Sequence, residues 1–381
     1  MVFSIQKIEN LQEFRNLKNA WDGILESKKH YHPFFDHDWF KLWLDHFLRS
    51  HQLLTLLFKN QNHDEAICPF LTRKEKFKGI PIKKIELTGN IYSPVRNFIL
   101  ARLSEAEREQ FLLELFEYVG TSIEWDLMDL KSLPVEDFDF MSLNKVLNKL
   151  GLKSKEYFCF GNWYLDGIDF SGDQYIQART SNIRENVKRY SRALNRQGKL
   201  QFIMVANGKG ENIDYYMDLY YRVYHSSWKA PEMDSTFHRD LAKLAYEKGW
   251  LRLGLLLFNE IPIASQLWLV SKRVAYIVKL AYDENYGKFR PGIILTSEMM
   301  KYVIDVDGVE EIDYLEGDEP YKKDWTPKRR ERRGIFIFNN NFKGQFLAFL
   351  MIRGVALIER NKRLNRIRKI FSKYLNRIDH R

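Results

Sequence analysis

Residues 282–305, YDENYGKFRPGIILTSEMMKYVID, join an aromatic and basic loop to a predicted helix. The apolar residues after Pro291 recur at helical spacing, and proline is well suited to the first turn of a helix. No Ser, Thr, Asp or Asn stands immediately before this helix to cap its free backbone N–H groups. Such groups favour an anion, Gly292 leaves room for one, and Lys288 and Arg290 add positive charge. An ordinary Pro-initiated helix beside a solvated loop would show the same residues.

Composition sets broad limits on the class of protein. A chain of 381 residues with 45% hydrophobic residues favours two globular domains. The two cysteines, Cys68 and Cys159, form no CxxC pattern, which fits a reducing cytoplasm without disulfides or a zinc framework. The N-terminus has no signal-peptide pattern. The histidines of the first helical stretch lack regular ligand spacing, so we predict no metal site.

The positive charge is concentrated at the C-terminus. The formal net charge is +10, and residues 343–381 contain eleven Lys and Arg against two acidic residues. The rest of the chain is therefore close to neutral, which argues against a general nucleic-acid-binding surface.

The two halves of the sequence repeat one order of elements: three strands, a helix and a further strand. The strand-like runs are LLTLLFKN, AICPFLTR, KKIELTG and WDLMDLKSL in the first half, and LRLGLLLFN, PIASQLWLV, VAYIVKLAY and EIDYLE in the second. This order predicts two α/β units, each with a mostly antiparallel sheet in which a helix crosses over to one parallel strand. We expect an N-terminal domain over 1–170, a C-terminal domain over 171–341 and a basic amphipathic helical tail over 342–381.

The C-terminal half resembles the GNAT-type acyltransferases of the CelD-like branch, which is related to the FemAB transferases. The motifs that carry the resemblance are Tyr282-Asp283, Pro291-Gly292, Glu316-Gly317-Asp318, Tyr321-Lys322 and Trp325, in the family's order. The resemblance extends over about residues 175–335 and is looser over 1–165. The Gly-x-Gly or Gly-x-Ala pyrophosphate loop that is usual in GNAT enzymes is absent.

This resemblance implies tandem GNAT-like domains and acyl transfer from acyl-CoA to an amine or hydroxyl, with no metal. The pyrophosphate would lie on the helix start, and the thioester would lie where the strands VAYIVKLAY and EIDYLEG separate. The cofactor-binding residues would be Lys279, Leu280, Lys288, Arg290, Pro291, Gly292 and Ile293. The first domain would be degenerate, because its loop GNIYSPVRNFIL lacks the Pro-Gly helix start.

Four residues are candidates for the chemistry. Asp318, at the end of a strand, would act as the general base, with Lys322 beside it. Tyr321 or Tyr282 would protonate the leaving thiolate. A solvated acidic turn that pairs with the neighbouring lysines and arginines would have the same sequence.

The acceptor site is predicted from a second group of residues. Arg184 and Lys188 belong to one basic stripe of a helix, which would bind an anionic acceptor unless it is only a solvated face. His225 and Trp228 come from the family-like stretch YHSSWK, although a histidine near a tryptophan is more often packed than catalytic. Gln266 and Trp325 complete the predicted substrate-binding residues.

The C-terminal tail contains an apolar stripe at helical spacing within basic residues. The stripe comprises Leu357, Leu364, Ile367, Phe371, Leu375 and Ile378. Such a helix would lie on an anionic membrane, bind a nucleic acid or dock on its own domain.

These features together predict a cytoplasmic acyltransferase, associated with the inner face of the membrane if the tail binds lipid. By resemblance, its acceptor would belong to cell-envelope polysaccharide or peptidoglycan biosynthesis. Two alternatives stay open: a FemAB-type enzyme that uses aminoacyl-tRNA, and a non-catalytic scaffold at the membrane.

Overall fold

The computed structural model describes residues 3–27, 32–60, 63–206 and 212–354. The chain divides into two compact units, and the limits of both fall inside long strands. The first unit comprises residues 1–159 and 331–381, and the second comprises residues 160–330. The apolar stripe predicted for the tail begins at Leu357 and lies outside the described residues.

The described residues contain the following strands and helices. The strands are β1 Ser4–Ile8, β2 Gln52–Asn60, β3 His63–Phe77, β4 Ile80–Leu87, β5 Ile99–Leu100, β6 Leu127–Pro134, β7 Lys153–Asp166, β8 Leu200–Val205, β9 Leu251–Phe258, β10 Ile261–Ser271, β11 Val274–Tyr282, β12 Glu311–Asp313 and β13 Lys328–Phe338. The helices are α1 Leu11–Asn16, α2 Lys18–Glu26, α3 His37–Phe47, α4 Glu105–Ser122, α5 Phe140–Lys149, α6 Gly172–Gln177, α7 Ser181–Asn195, α8 Ile213–His225, α9 Phe237–Glu247, α10 Pro291–Asp305, α11 Lys322–Trp325 and α12 Phe342–Ala348. Short 3-10 helices cover Pro33–Phe35 and Glu284–Phe289, and a π-helical turn covers Phe349–Gly354.

The first unit is built on a mostly antiparallel sheet. Strands β1 to β4 pair in sequence order, β4 pairs in parallel with β6, and β13 closes the other side of β6. Helices α4 and α5 cover one face, where Phe111 and Leu115 pack on sheet residues such as Phe58 and Phe70. The crossover from β4 to β6 passes through α4, as the sequence predicts.

The second unit repeats this plan. Strands β8 to β11 form an antiparallel meander, β11 pairs in parallel with β12, and β12 pairs with the end of β7. The crossover helix α10 is the most buried helix of the unit, with Leu295, Met299 and Val303 inside the core. Gly254 in β9 makes this close approach possible, because any side chain there would overlap the sulfur of Met299.

Each half of the sequence supplies the strand that closes the sheet of the other unit. Strand β7, at the end of the first half, pairs with β12 through Tyr164 and Asp166, whereas β13, at the end of the second half, pairs with β6. The predicted fold class of mixed, mostly antiparallel sheets flanked by helices is confirmed. The predicted domain limits stay a prediction, and this exchange was not foreseen.

Two helix boundaries have simple local causes. Leu17 is both the C-cap of α1 and the N-cap of α2, so α2 begins directly after α1. Helix α7 has Thr180 as its N-cap, since the Thr180 hydroxyl accepts from the backbone N–H of Ile183. Within the described residues, none of the helices combines the length and the apolar character that a membrane span requires.

Candidate active site

An opening lies between the parallel strands β11 and β12 of the second unit. Their pairing covers three residue pairs, the last of which joins Tyr276 to Asp313. There β12 ends, whereas β11 continues to Tyr282 with β10 on its other side. The side of β11 that faced β12 is therefore open beyond Tyr276, at the carboxyl ends of two parallel strands.

A β-bulge lies in the open part of β11. The pairing with β10 steps from Ile277 directly to Lys279, so Val278 is an extra residue. A bulge re-aims the neighbouring side chains and backbone groups, and bulges are common beside active sites. The predicted donor-binding residues Lys279 and Leu280 follow it and are half-buried.

A buried carboxylate fixes the point where β12 turns away. Asp313 is fully buried and accepts hydrogen bonds from Asn162 Nδ2 at 2.6 Å, the Leu315 backbone N–H at 2.6 Å and Arg330 at 2.5 Å. Leu315 has a φ of 55°, which costs a non-glycine residue conformational energy. The three charge-assisted or buried hydrogen bonds hold this turn in place and so keep the opening formed.

The start of α10 has no side-chain cap, as the sequence predicts. Its N-cap residue is Arg290, in the left-handed conformation with a φ of 46°, and Pro291 occupies the first turn. No side chain accepts from the first backbone N–H groups of this helix. Lys288 and Arg290 are exposed beside it, and the Arg290 guanidinium lies 5.8 Å from the centre of the Tyr190 ring.

The corresponding helix of the first unit is capped by its own side chains. The Ser104 hydroxyl accepts from the backbone N–H of Glu107 at 3.3 Å, and the Glu107 carboxylate accepts from the Ser104 N–H at 2.8 Å. This capping box places a carboxylate where α10 has none. Lys84, which is almost fully buried, lies 2.7 Å from Glu86 and 3.6 Å from Asp129 at the parallel pair of β4 and β6.

Two aromatic side chains border the start of α10. The Tyr282 ring lies 4.6 Å from that of Trp228, centre to centre. A Cβ atom added at Gly292 would lie 3.3 Å from the Tyr282 ring. Trp228 is half exposed, so the pair forms part of the surface around the helix start. The structure thus brings together Trp228, Tyr282 and Gly292, three of the predicted site residues.

A charged cluster that the sequence analysis missed lies around Lys279. Its ammonium is 2.8 Å from Glu232, whose other oxygen is 4.0 Å from Nδ1 of the fully buried His238. Burial lowers the pKa of His238 to about 3, so this histidine is neutral at physiological pH. Burial would raise the pKa of Glu232, but the ammonium of Lys279 lowers it.

Lys229 belongs to the same cluster. Burial lowers the pKa of its ammonium, and the charge of Lys279 lowers it further, against the opposing effect of Glu232. Its Nζ lies 5.6 Å from the centre of the Trp228 ring. Lys229 is the last residue of the family-like stretch YHSSWK, so the sequence contained a signal for it, although the partner Glu232 could not be recognised without the fold.

Asp318 is held by an arginine. Arg329 donates two hydrogen bonds to its carboxylate, at 2.7 and 2.8 Å, and the carboxylate packs against Gly161. The hydrogen bond from Arg329 lowers the pKa of Asp318. This geometry corresponds to the acidic turn with an arginine partner that the sequence left open, and it makes the carboxylate a weaker base.

Lys322 fixes the loop that follows β12. It is 4% exposed, and its ammonium donates to the carbonyl of Glu316 at 2.5 Å and lies 2.9 Å from Glu319. Tyr321 is partly exposed, and its pKa is raised by partial burial and by the nearby Glu319. The ammonium of Lys322 is therefore engaged within the protein.

The remaining predicted residues lie in separate places. Trp325 is buried, and its carbonyl accepts from the Tyr175 hydroxyl at 2.6 Å. Gln266 is 1% exposed, and its side chain forms hydrogen bonds with Thr296 and Trp268. The exposed His225 stacks on Tyr221. The basic stripe of α7 lies at the surface, where Lys188 is exposed and Arg184 donates to the Gln177 carbonyl at 3.0 Å.

Among the described residues, no three His, Cys, Asp or Glu side chains come together in a way that could hold a metal ion.

A comparison with protein-family models identifies a known domain within the second unit. Residues 181–323 match the model of the acetyltransferase (GNAT) domain, which includes the opening, the start of α10 and the cluster around Lys279. Residues 181–323 therefore form a GNAT-type acetyltransferase domain, which confirms the predicted resemblance to GNAT-type acyltransferases. A search of curated proteins found no match.

Solved structures show where else this fold occurs. The crystal structure of FemX is similar with a TM-score of 0.59 at 13% identity, covering 91% of this chain and 99% of FemX. The C-terminal domain of a candidate lysylphosphatidylglycerol synthetase from Agrobacterium fabrum has a TM-score of 0.52 at 10% identity, over 88% of this chain and 96% of that domain. A protein of unknown function from Bacteroides thetaiotaomicron has a TM-score of 0.52 at 9% identity, over 88% of this chain and all of that protein. At this level of sequence identity, the similarities show that the fold is shared and nothing about the substrates.

Proposed function

We propose that the second unit transfers an acyl group from acyl-CoA to an amine or hydroxyl acceptor. The observation that carries the proposal is the uncapped start of α10 beside the opening between β11 and β12. A helix start without a side-chain cap offers several N–H groups to a pyrophosphate, and the helix dipole favours the negative charge. The GNAT domain model covers both features.

In this proposal the donor lies along the opening from α10 to β11. The backbone N–H of Gly292 binds a phosphate oxygen, whereas the N–H of Ile293 already donates to the Arg290 carbonyl at 3.0 Å. Lys288 and Arg290 neutralise the phosphate charge. Backbone N–H groups at the bulge, near Lys279 and Leu280, donate to the thioester carbonyl as negative charge builds on its oxygen.

The first unit binds no donor in this proposal. The Glu107 carboxylate of the capping box occupies the anion position at the start of α4, so a phosphate would meet a negative charge there. At the parallel pairing of β4 and β6, which corresponds to that of β11 and β12, Lys84 forms ion pairs with Glu86 and Asp129.

Lys229 is our proposed general base. Its lowered pKa gives a larger neutral fraction at physiological pH than an ordinary lysine has. The neutral amine takes the proton from the acceptor's N–H or O–H group as that atom attacks the thioester carbon. The carbon–sulfur bond then breaks, and the thiolate is protonated by Tyr282, Tyr321 or water. Asp318 is a weaker candidate for the base, because Arg329 binds it through both carboxylate oxygens.

The acceptor class follows from the resemblance. We propose an acceptor from cell-envelope polysaccharide or peptidoglycan biosynthesis, taken up between the Trp228 ring and the charged cluster of Lys229, Glu232 and Lys279. An aminoacyl-tRNA donor of the FemAB type is the alternative, since FemX has the same fold.

The donor is tested by calorimetry with CoA on the wild-type protein and two variants. Gly292→Glu places a carboxylate at the proposed pyrophosphate site, whereas Gly292→Gln has the same size without the charge. We expect CoA to bind the wild type, and Glu to weaken binding at least about tenfold more than Gln. Equal CoA affinities in the two variants would show that the pyrophosphate does not bind at this helix start. Binding of charged tRNA, with a steep salt dependence and no binding of CoA, would establish the alternative donor.

A further inference from the structure

A row of large apolar side chains lies on the surface of the first unit, along α12 and the π-helical turn that follows it. The exposed fractions are 87% for Phe342, 46% for Phe346, 49% for Phe349 and 37% for Ile352. These four residues, spaced by four, three and three positions, form one side of the helical segment, which we call the aromatic face. A run of phenylalanines with this much exposed surface is unusual for a soluble domain.

The opposite side of the same segment is already docked. Leu347, Ala348 and Met351 are buried and pack in one cluster with Ile82 and Phe338 of the sheet. The aromatic face is therefore not the side by which this segment attaches to its own unit. It is a second apolar surface that the described residues leave open to solvent.

Specific polar contacts hold the segment in a fixed orientation. Asn341 caps α12 by accepting from the Gly344 N–H at 2.8 Å, and its amide donates to the Trp125 carbonyl at 3.0 Å. Lys155 donates to the Met351 carbonyl at 2.5 Å. The aromatic face is thus presented on a rigid base, which reduces the entropy cost of binding to a partner.

The charge of the adjoining sequence identifies the chemistry of that partner. The 27 residues that follow Gly354 contain nine Lys and Arg against Glu359 and Asp379. Aromatic side chains beside a basic segment fit a surface that is apolar inside and negatively charged outside.

We infer that the aromatic face of Phe342, Phe346, Phe349 and Ile352 inserts into the surface of an anionic phospholipid bilayer. The apolar rings enter the boundary between headgroups and acyl chains, and the basic residues attract the acidic headgroups. This inference concerns the first unit and is independent of the proposed donor site.

Co-sedimentation of the full-length protein with vesicles tests the inference. The vesicles consist of phosphatidylcholine alone or of equal parts of phosphatidylcholine and phosphatidylglycerol. We expect binding to the anionic vesicles that is at least about tenfold tighter than to the neutral ones and that weakens as salt rises. The triple variant Phe342→Ser, Phe346→Ser, Phe349→Ser keeps every charge, and we expect it to lose at least about tenfold in vesicle binding.

Met141→Ser is the matched control, because Met141 is an exposed apolar residue of the same unit, 82% exposed, outside the aromatic face. We expect this variant to bind vesicles as the wild type does. Circular dichroism and CoA calorimetry on all variants verify that the fold and the second unit are unchanged. Three results would overturn the inference: equal binding of the triple variant and the wild type, equal binding to neutral and anionic vesicles, or no vesicle binding by the wild type. A wild-type dimer that the triple variant dissociates, with no vesicle binding, would assign the face to a second copy of the chain.

Discussion

The side-chain amide of Gln266 in β10 donates to the Thr296 hydroxyl in α10 at 2.7 Å. That hydroxyl in turn donates to the Gly292 carbonyl at 2.8 Å, and the Gln266 oxygen accepts from the Trp268 indole N–H at 2.9 Å. Gln266 is predicted from the sequence to bind substrate. Its buried position indicates another role, which is to fix the first turn of α10 relative to the sheet and so to position the proposed donor site.

Replacing Gln266 with Leu should weaken CoA binding, although the buried Gln266 does not itself contact the ligand in the proposed site. The substitution leaves the Trp268 N–H without its acceptor and the first turn of α10 without its link to β10. We expect a loss of about 1–3 kcal/mol in the free energy of unfolding. Thr296→Val is a more conservative variant of the same network, because it keeps the side-chain shape and removes only the hydroxyl. Urea unfolding and CoA calorimetry measure the two effects, and unchanged CoA affinity in both variants would show that this network serves stability alone.

Lys229→Met should lower kcat by about a hundredfold or more if Lys229 is the base. With the base present, activity should rise with pH through the lowered pKa of Lys229, because only the neutral amine accepts a proton. The variant should lose this rise and keep its affinity for CoA. Lys323→Met is the control, since Lys323 is an exposed lysine of α11. The proposed role fails if the pH profile of Lys229→Met matches that of the wild type.

Asp318→Asn should leave the turnover within a few-fold of the wild type, since Asp318 is bound by Arg329. Because both side chains are partly exposed, the ion pair should contribute no more than about 1 kcal/mol to stability. A large loss of kcat with an unchanged melting temperature would instead restore Asp318 as the base.

Lys322→Met should destabilise the second unit by about 1–3 kcal/mol, because the hydrogen bond from the buried Lys322 ammonium to the Glu316 carbonyl is lost. Replacement of the exposed Lys323 by Met should change the melting temperature little. Thermal unfolding of the two variants separates the buried lysine from its neighbour. If Lys322→Met is as stable as the wild type but inactive, the catalytic assignment of Lys322 regains support.

The stability of the first unit should fall in acid because of Glu86. Burial alone would raise the pKa of its carboxyl, but His51, Lys84 and Arg73 lower it to about 2. Between that value and the ordinary pKa of glutamate, the unfolded chain binds more protons than the folded chain. The contribution, on the order of 2 kcal/mol, is therefore complete above about pH 5 and is lost as the pH falls toward 2. Glu86→Gln should flatten this part of the stability profile, as measured by urea unfolding at a series of pH values. A profile identical to that of the wild type would contradict the assignment.

Local patterns predicted the elements well where the residues that form an element are neighbours in sequence. The periodicity after Pro291 and the lack of a capping side chain gave the start of α10, and the repeated strands gave the meander of each unit. The signal for Lys229 was also local, in YHSSWK. Its partner was not recognisable, because Glu232 acquires its role only when the segment after α8 folds over Lys279 of β11.

The partners of Asp318 and Lys322 are selected by the way the loop after β12 folds, which the local sequence pattern does not specify. Asp318 and Lys322 lie in a charge-rich stretch in which many ion pairs are sterically possible. The fold selected Arg329 for Asp318, and the backbone carbonyl of Glu316 for Lys322. Nothing in the spacing of these residues distinguishes a catalytic group from one that stabilises a loop.

The sequence by itself determined the class of each unit, the crossover helix and its uncapped start, because hydrophobic periodicity and helix capping act within a few residues. The tertiary structure alone decided that β7 closes the sheet of the second unit and β13 that of the first. It also decided that β12 ends after three parallel pairs, so that β11 faces an opening. These outcomes depend on which distant strands bury the most apolar surface while satisfying their backbone hydrogen bonds, and local sequence patterns do not contain that information.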